Sequence, residues 1–317
     1  MRTATGISLA IAVTACANDG SGETVRVTIP PGATVTAAAE SLAARRVIGS
    51  PRLFAMLASI SGRDRSIQAG VYDFTTGISA HDALDILVAG RTAQDRLVLP
   101  EGLMLTELAQ SVERQLGVPA DSIHAAARTP LLLEAVRARG PTLEGYLYPS
   151  TYFVRVGATA LEIVRQMVSE FESRWQASWD ERLDELALTR DEVVTLASII
   201  EGEARHPEDL KYVASVYHNR LRRGMRLQAD PTVNYALGVR RRLFSRDYSV
   251  NSPYNTYQID GLPPHPIGQP SSSSLEAALY PRQSDFYYFV ADSAGRHVFS
   301  RTYGEHLQAI RRIRGQN

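Results

Sequence analysis

Glu201, Gly202 and Glu203 close a stretch, residues 192–204, in which Val193, Ala197, Ile200 and Ala204 recur at helical spacing. Two positions apart on a helix, the two carboxylates point roughly 200° away from each other around the axis. They therefore flank the apolar stripe on opposite sides and do not form a close pair. A carboxylate at the margin of an apolar face is desolvated, which favours its neutral form and equips it as a general acid. The same spacing also suits two solvated rim glutamates, and periodicity alone favours that plainer reading.

Other polar groups cluster in two loops. Leu227-Gln228-Ala229-Asp230-Pro231-Thr232 follows a helix stop at Gly224. Gln228, Asp230 and Thr232 are suited to sugar hydroxyls and acetamido groups; Asp230 suits equally well the N-cap of a helix with Pro231 in its first position. Asn251-Ser252-Pro253-Tyr254-Asn255-Thr256-Tyr257 mixes amides, hydroxyls and rings. Asn255, Thr256 and Tyr257 could bind carbohydrate, or serve as ordinary turn formers. Glu144, in Leu143-Glu144-Gly145-Tyr146-Leu147-Tyr148-Pro149, is a second acidic candidate. No pair among the seven histidines has zinc-protease spacing, and His206 and His218 are expected at the surface. There is no phosphate loop and no nucleophile elbow, and Ser271 to Ser274 reads as a helix-entry turn. Acid catalysis by a carboxylate, without metal or cofactor, is what remains.

The elements that must hold these groups fall into two regions. Residues 25–29 alternate as a strand, Pro30-Pro31-Gly32 breaks it, and residues 35–47 read as an amphipathic helix. A similar unit returns at residues 97–102 and 105–116, with Pro30/Pro100, Gly32/Gly102, Thr36/Thr106, Ala39/Ala109 and Ser41/Ser111 in register. Between them lie a helix at residues 51–61, a strand at residues 70–74, and a helix opening at Ser79 with Asp82 three positions on. Later helices are expected at residues 161–175, 190–203 behind the capping box Thr189 to Glu192, and 207–223. Residues 247–274 form a long loop whose tyrosines and low charge argue for order. A buried strand at residues 286–290, a turn at Asp292-Ser293-Ala294-Gly295 and His297-Val298-Phe299 make a hairpin, and a last helix starts at Tyr303.

The 317 residues carry 34 basic and 34 acidic side chains, a neutral balance that argues against a broad grip on nucleic acid. The single cysteine, Cys16, excludes an internal disulfide. It ends the order Arg2, apolar residues 6–13, then Thr14-Ala15-Cys16, which is a secretory signal too short to span a membrane. Val13-Thr14-Ala15-Cys16 resembles a lipobox, so Cys16 is the expected lipidation site; a plain cleaved signal with an incidental cysteine is the alternative. Residues 18–23 read as a tether. The folded part is expected on the extracytoplasmic side.

Taken in order, several segments resemble the YceG-like family of murein transglycosylases. They are Leu97 to Gly102, Leu143 to Pro149, Ala197-Ser198-Ile199-Ile200-Glu201-Gly202-Glu203-Ala204, Tyr217-His218-Asn219-Arg220-Leu221, Leu227 to Val233, Ser252 to Tyr257 with Gly261-Leu262-Pro263-Pro264, and Leu275 to Leu279. Beyond the leader and tether at residues 1–23, the resemblance implies an α+β chain: a small LysM-like subdomain at 24–135, and a mixed α/β catalytic domain at 136–317 ending in the hairpin. It implies endolytic cleavage of nascent peptidoglycan strands between N-acetylmuramic acid and N-acetylglucosamine, leaving 1,6-anhydro ends and terminating elongation. Glu201 falls on the family's catalytic glutamate, which reverses the local preference for a rim residue. A lone acid suffices because the sugar's own C6 hydroxyl attacks, whereas ordinary glycosidases use two carboxylates. Gln228, Asp230, Asn255 and Tyr257 would orient substrate, and cell-wall synthases are the implied protein partners. The chain departs from the family in lacking a spanning helix before Cys16, and in Gly202 for lysine, Ser150 for aspartate and His265 for glycine. Gly202 would loosen its helix by about 1 kcal/mol relative to alanine. A peptidoglycan-binding lipoprotein without activity and a water-using muramidase are the rival readings.

Overall fold

The computed structural model describes residues 22–204 and 206–315. The expected leader, Cys16 and most of the tether lie outside the described residues. No helix among the described residues is long and apolar enough to cross a membrane. The chain divides into two compact units, one of residues up to Asp95 with residues 155–157, the other of residues 96–154 with everything from Ala158 on.

The first unit contains β1 (Thr24–Ile29), α1 (Val35–Ala44), α2 (Pro51–Ile60), β2 (Gly70–Thr75) and α3 (Ala80–Val88). The strands pair antiparallel with Val27 opposite Tyr72 and Val25 opposite Phe74. Alternation sends Val27, Ile29, Tyr72 and Phe74 into one core with Leu42, Phe54 and Leu84. Thr34, Ser50 and Ser79 each accept a backbone N–H at a helix start. Helix α1 stops at Ala44, three residues short of the expected end. Arg46 turns into the left-handed region at φ 57° and Val47 folds back to bond Leu42.

The second unit is largely helical. It holds most of β3 (Gln94–Val98), α4 (Leu105–Leu116), α5 (Ala120–Ala126), α6 (Pro130–Ala135), most of β4 (Thr151–Arg155), α7 (Ala160–Arg174), α8 (Ala177–Leu186), α9 (Arg190–Glu203), α10 (Pro207–Arg222), α11 (Asp230–Leu237), α12 (Ser272–Leu279), β5 (Tyr288–Ala291), β6 (His297–Ser300) and α13 (Tyr303–Arg314). Its strands form only two-stranded sheets, β3 with β4 and β5 with β6. The chain is therefore α+β overall, and this half mixes packed helices with two small sheets, the second of them the expected hairpin. Residues 96–135 also join this unit, not the first as the expected boundary at 135 had it, because Leu105, Leu108, Val112 and Ile123 share its core. The two strand–turn–helix repeats do share their turn: Gly32 and Gly102 sit at φ 75° and 72°.

At the centre stands α9. Its Thr189 to Glu192 capping box forms as read. Every residue from Arg190 to Ile200 except Glu192 is buried, against α8, α10, α11 and α12. The apolar stripe inferred from spacing is thus too narrow a description, and apart from Glu192 only the last turn reaches the surface. The β5–β6 hairpin is present with Phe289 opposite Phe299. It is half-buried, not buried as expected, because one face is left to a cleft.

Candidate active site

Glu201 leaves the last turn of α9 half-buried. Its Oε2 accepts two hydrogen bonds from Ser271, from the backbone N–H at 2.9 Å and the hydroxyl at 2.6 Å. Ser271 is also the N-cap of α12, its oxygen accepting the Ser274 N–H at 3.1 Å. The serine run is the helix entry expected of it, and the same residue clamps the carboxylate. On another side Glu201 faces the turn after β3: a Cβ on Gly102 would lie 3.5 Å from its Cγ. Glu101 in that turn has its pKa raised, first by partial burial and then by the charge of Glu201. Glu201 is therefore not isolated from other carboxylates.

Glu203 occupies different surroundings. Its Oε1 accepts the Tyr217 hydroxyl at 2.8 Å. Burial pushes its pKa up to about 7, the charge of Asp230 adds to this, and the Tyr217 hydrogen bond opposes it. Glu203 lines a cleft of about 630 Å³ together with Gly202, Gln228, Asp230, Tyr257 and the hairpin; Glu201 borders this cleft through Gly202 without lining it. Asp230 is exposed in the first turn of α11, whose N-cap is Ala229, so the capping role expected for Asp230 is not the one it has. Its carboxylate accepts Tyr257 at 2.7 Å and Tyr248 at 3.4 Å. Gln228 is exposed in the left-handed region at φ 49°, a strained conformation for a non-glycine residue, held by its N–H to Thr256.

Four expected substrate-binding residues stand behind this surface. Thr232 and Thr256 are fully buried, bonded to each other at 2.9 Å, and Thr256 also accepts the Ala229 N–H. Asn255 is fully buried and donates to the Tyr248 and Val250 carbonyls, locking the long loop. Glu144 is buried, its carboxyl taking the Leu105 N–H at 2.9 Å and the Gln269 amide at 2.7 Å. Burial lifts its pKa to about 8. These groups shape the backbone under the site and do not reach into it. Gln269, missed by sequence reasoning, ties Glu144 to the Leu147 N–H and, through its backbone, to Gly102 and Leu103. A lone glutamine in a loop carries no sequence signal for that role.

The sequence profile described as the YceG-like family matches residues 27–312. The chain belongs to the YceG-like family. It is 33% identical over 303 residues to the endolytic murein transglycosylase of Bacillus subtilis, covering 90% of this chain and 84% of that protein. The Streptococcus pneumoniae protein of the same name is 29% identical over 89% of this chain, which spans 57% of the pneumococcal length. A solved YceG-like protein from Listeria monocytogenes superposes with a TM-score of 0.63 at 32% identity, covering 91% of this chain and all of that one.

The YceG-like segments acquire physical meaning in the fold. In α10, four consecutive residues each tie a different neighbour. Tyr217 holds Glu203, His218 bonds the Ala278 carbonyl at 2.7 Å, and Asn219 donates to Ser284 and Phe286. Arg220 donates to the Tyr287 and Leu227 carbonyls, each at 2.7 Å. His218 is thus buried, not a surface residue, and burial lowers its pKa. Side chains on every side of α10 fasten α9, α12, the hairpin and the Gln228 loop to one scaffold. Among the described residues the one group with metal-like spacing is His81, Asp82 and Asp85 on α3, where Asp85 already pairs with Arg63 at 2.7 Å.

Proposed function

We propose that the protein is an endolytic peptidoglycan transglycosylase with Glu201 as its acid. The observation that carries the reading is the end of α9, where carboxyl groups border a polar, aromatic-edged cleft of about 630 Å³ in a chain of this family. The relatives named endolytic murein transglycosylase support the substrate class. In the proposed reaction the Glu201 carboxyl gives its proton to the glycosidic oxygen as the bond to C1 of N-acetylmuramic acid breaks. The C6 hydroxyl of that sugar then attacks C1 and returns its proton to Glu201, leaving a 1,6-anhydro end without consuming water. Ser271 orients the carboxylate, while Gln228, Asp230 and Tyr257 meet the sugars. Cutting nascent strands this way would terminate their elongation beside the cell-wall synthases.

A second assignment of the acid rests on one observation. Glu203 lines the cleft and is held near pH 7 by burial, as a general acid requires. Digestion of purified glycan strands by wild type, Glu201→Gln and Glu203→Gln separates the two. Loss of cutting in Glu201→Gln alone supports the first assignment, and loss in Glu203→Gln alone transfers the role. Mass spectrometry of the ends decides the chemistry: reducing ends, heavier by one water, would replace transglycosylation with hydrolysis. Normal function without any cutting would favour the non-catalytic binding protein.

The first unit, two antiparallel strands enclosing α1 and α2, suits a LysM-like glycan-binding module. Cys16 would carry the lipid that holds the protein on the extracytoplasmic face of the membrane. Metabolic labelling with an alkyne fatty acid should mark the wild type and not Cys16→Ser.

A further inference from the structure

The cleft that starts at Glu203 and Asp230 ends on a wall of rings. Tyr288 of β5 and His306 of α13 lie stacked, with centroids 5.4 Å apart and planes 24° from parallel. Tyr303, one turn earlier on α13, approaches both, at 5.7 Å from Tyr288 and 6.3 Å from His306. All three line the cleft. Arg220 stands 5.3 Å from the Tyr288 ring centre and fixes that ring in place.

Two features of this wall are unexplained by folding. Tyr303 is 59% exposed, a large ring that the core has not covered. His306 has a buried Nδ1 that finds no hydrogen-bond partner among the described residues. Burial also lowers the His306 pKa, and the charge of Arg220 adds to this, favouring the neutral ring. An exposed aromatic platform opening on a polar cleft matches a pyranose. The C–H face of the sugar packs on a ring, and its hydroxyl or acetamido edge turns to the polar side chains lining the same cleft, among them Asp230 and Asp292.

We infer that Tyr288, Tyr303 and His306 form a distal sugar subsite, which holds a hexosamine unit of the glycan strand away from the bond that is cut. The inference rests on the proposed reading of the substrate as a glycan strand. An endolytic enzyme needs such a grip, because strand on both sides of the cut must be held for an internal bond to be chosen over an end.

The test uses the full chain with Tyr303→Ala and Tyr303→Phe, on soluble glycan strands separated into short and long fractions. Tyr303 is exposed, so its loss leaves the core intact. For Tyr303→Ala the KM on long strands is expected to rise about fivefold to tenfold, with kcat held within about twofold and short strands unaffected. Tyr303→Phe keeps the ring and should behave as wild type. An unchanged KM on long strands, or an equal rise on short and long, would overturn the subsite. Binding of the same strands, measured by calorimetry, separates this from the catalytic reading. If wild type binds long strands but never cuts them, and Tyr303→Ala weakens that binding, the subsite stands and the transglycosylase assignment fails.

Discussion

Ser271 links a carboxylate to a helix cap with one oxygen, and the cost of losing it can be divided accordingly. Ser271→Ala removes the hydroxyl donor to Glu201 and the acceptor for the Ser274 N–H. Stability should fall by about 1–2 kcal/mol and strand cutting by about tenfold, read from urea melts and initial rates. Glu144 and Glu203 make a different prediction. Both hold a proton more tightly when folded, up to about 8 and about 7 against an ordinary 4.5. Between those values the folded chain binds more protons than the unfolded one, so stability declines as pH rises from 4.5 and levels off near 8. Glu144→Gln preserves the hydrogen-bond pattern of the protonated acid with no charge to bury. It should remove about 2–4 kcal/mol of that decline, seen as a flatter urea midpoint between pH 5 and pH 9. An equally steep decline in the variant would place the dependence elsewhere.

For α9, the glycine between the two glutamates is where local rule and packing part. Alanine at Gly202 should strengthen an isolated helix by about 1 kcal/mol. In the fold a Cβ there would meet Pro231 of α11 at 2.7 Å and 2.8 Å, closer than real contacts allow. Pro231 is a rigid ring in the first turn of α11, so relief must move that helix and Asp230 with it. Gly202→Ala is expected to destabilise by about 1–3 kcal/mol and to impair cutting, checked by melting and activity together. A stabilised, fully active Gly202→Ala would show that α11 can yield. The glycine at this position is therefore matched by the close approach of α11.

At the scale of the whole molecule, two separate cores underlie the two units. Phe54, fully buried, belongs to the first core, while every group of the candidate site belongs to the second unit. Phe54→Ala should cost about 3–5 kcal/mol, shifting one calorimetric transition and leaving the other in place. Cutting of short soluble strands should persist at temperatures where the first unit has melted. Loss of both transitions together would mean that the cores fold as one.

How far the residues could be read in advance follows from the range of the forces involved. Capping boxes, glycine turns, helical periods and the hairpin depend on neighbours within a few positions, so Thr189, Gly102, Leu105–Leu116 and Tyr303 could be placed from local pattern alone. Ordered segments spread over the chain were enough to assign the family. Burial was not legible: spacing shows which residues share a face but not how many partners will cover it, so α9 read as striped when it is enclosed. Nor could spacing distinguish residues that touch a ligand from those that brace the residues that do. Asn255, Thr256, Thr232 and Glu144 have side chains suited to sugar, yet the fold uses them to bond backbone from distant segments, since buried polar groups must find partners. The roles of Ser271 and Gln269 depend on contacts across 70 or more positions, as between Ser271 and Glu201. Such pairings exist only once the helices have packed, and no local pattern encodes them.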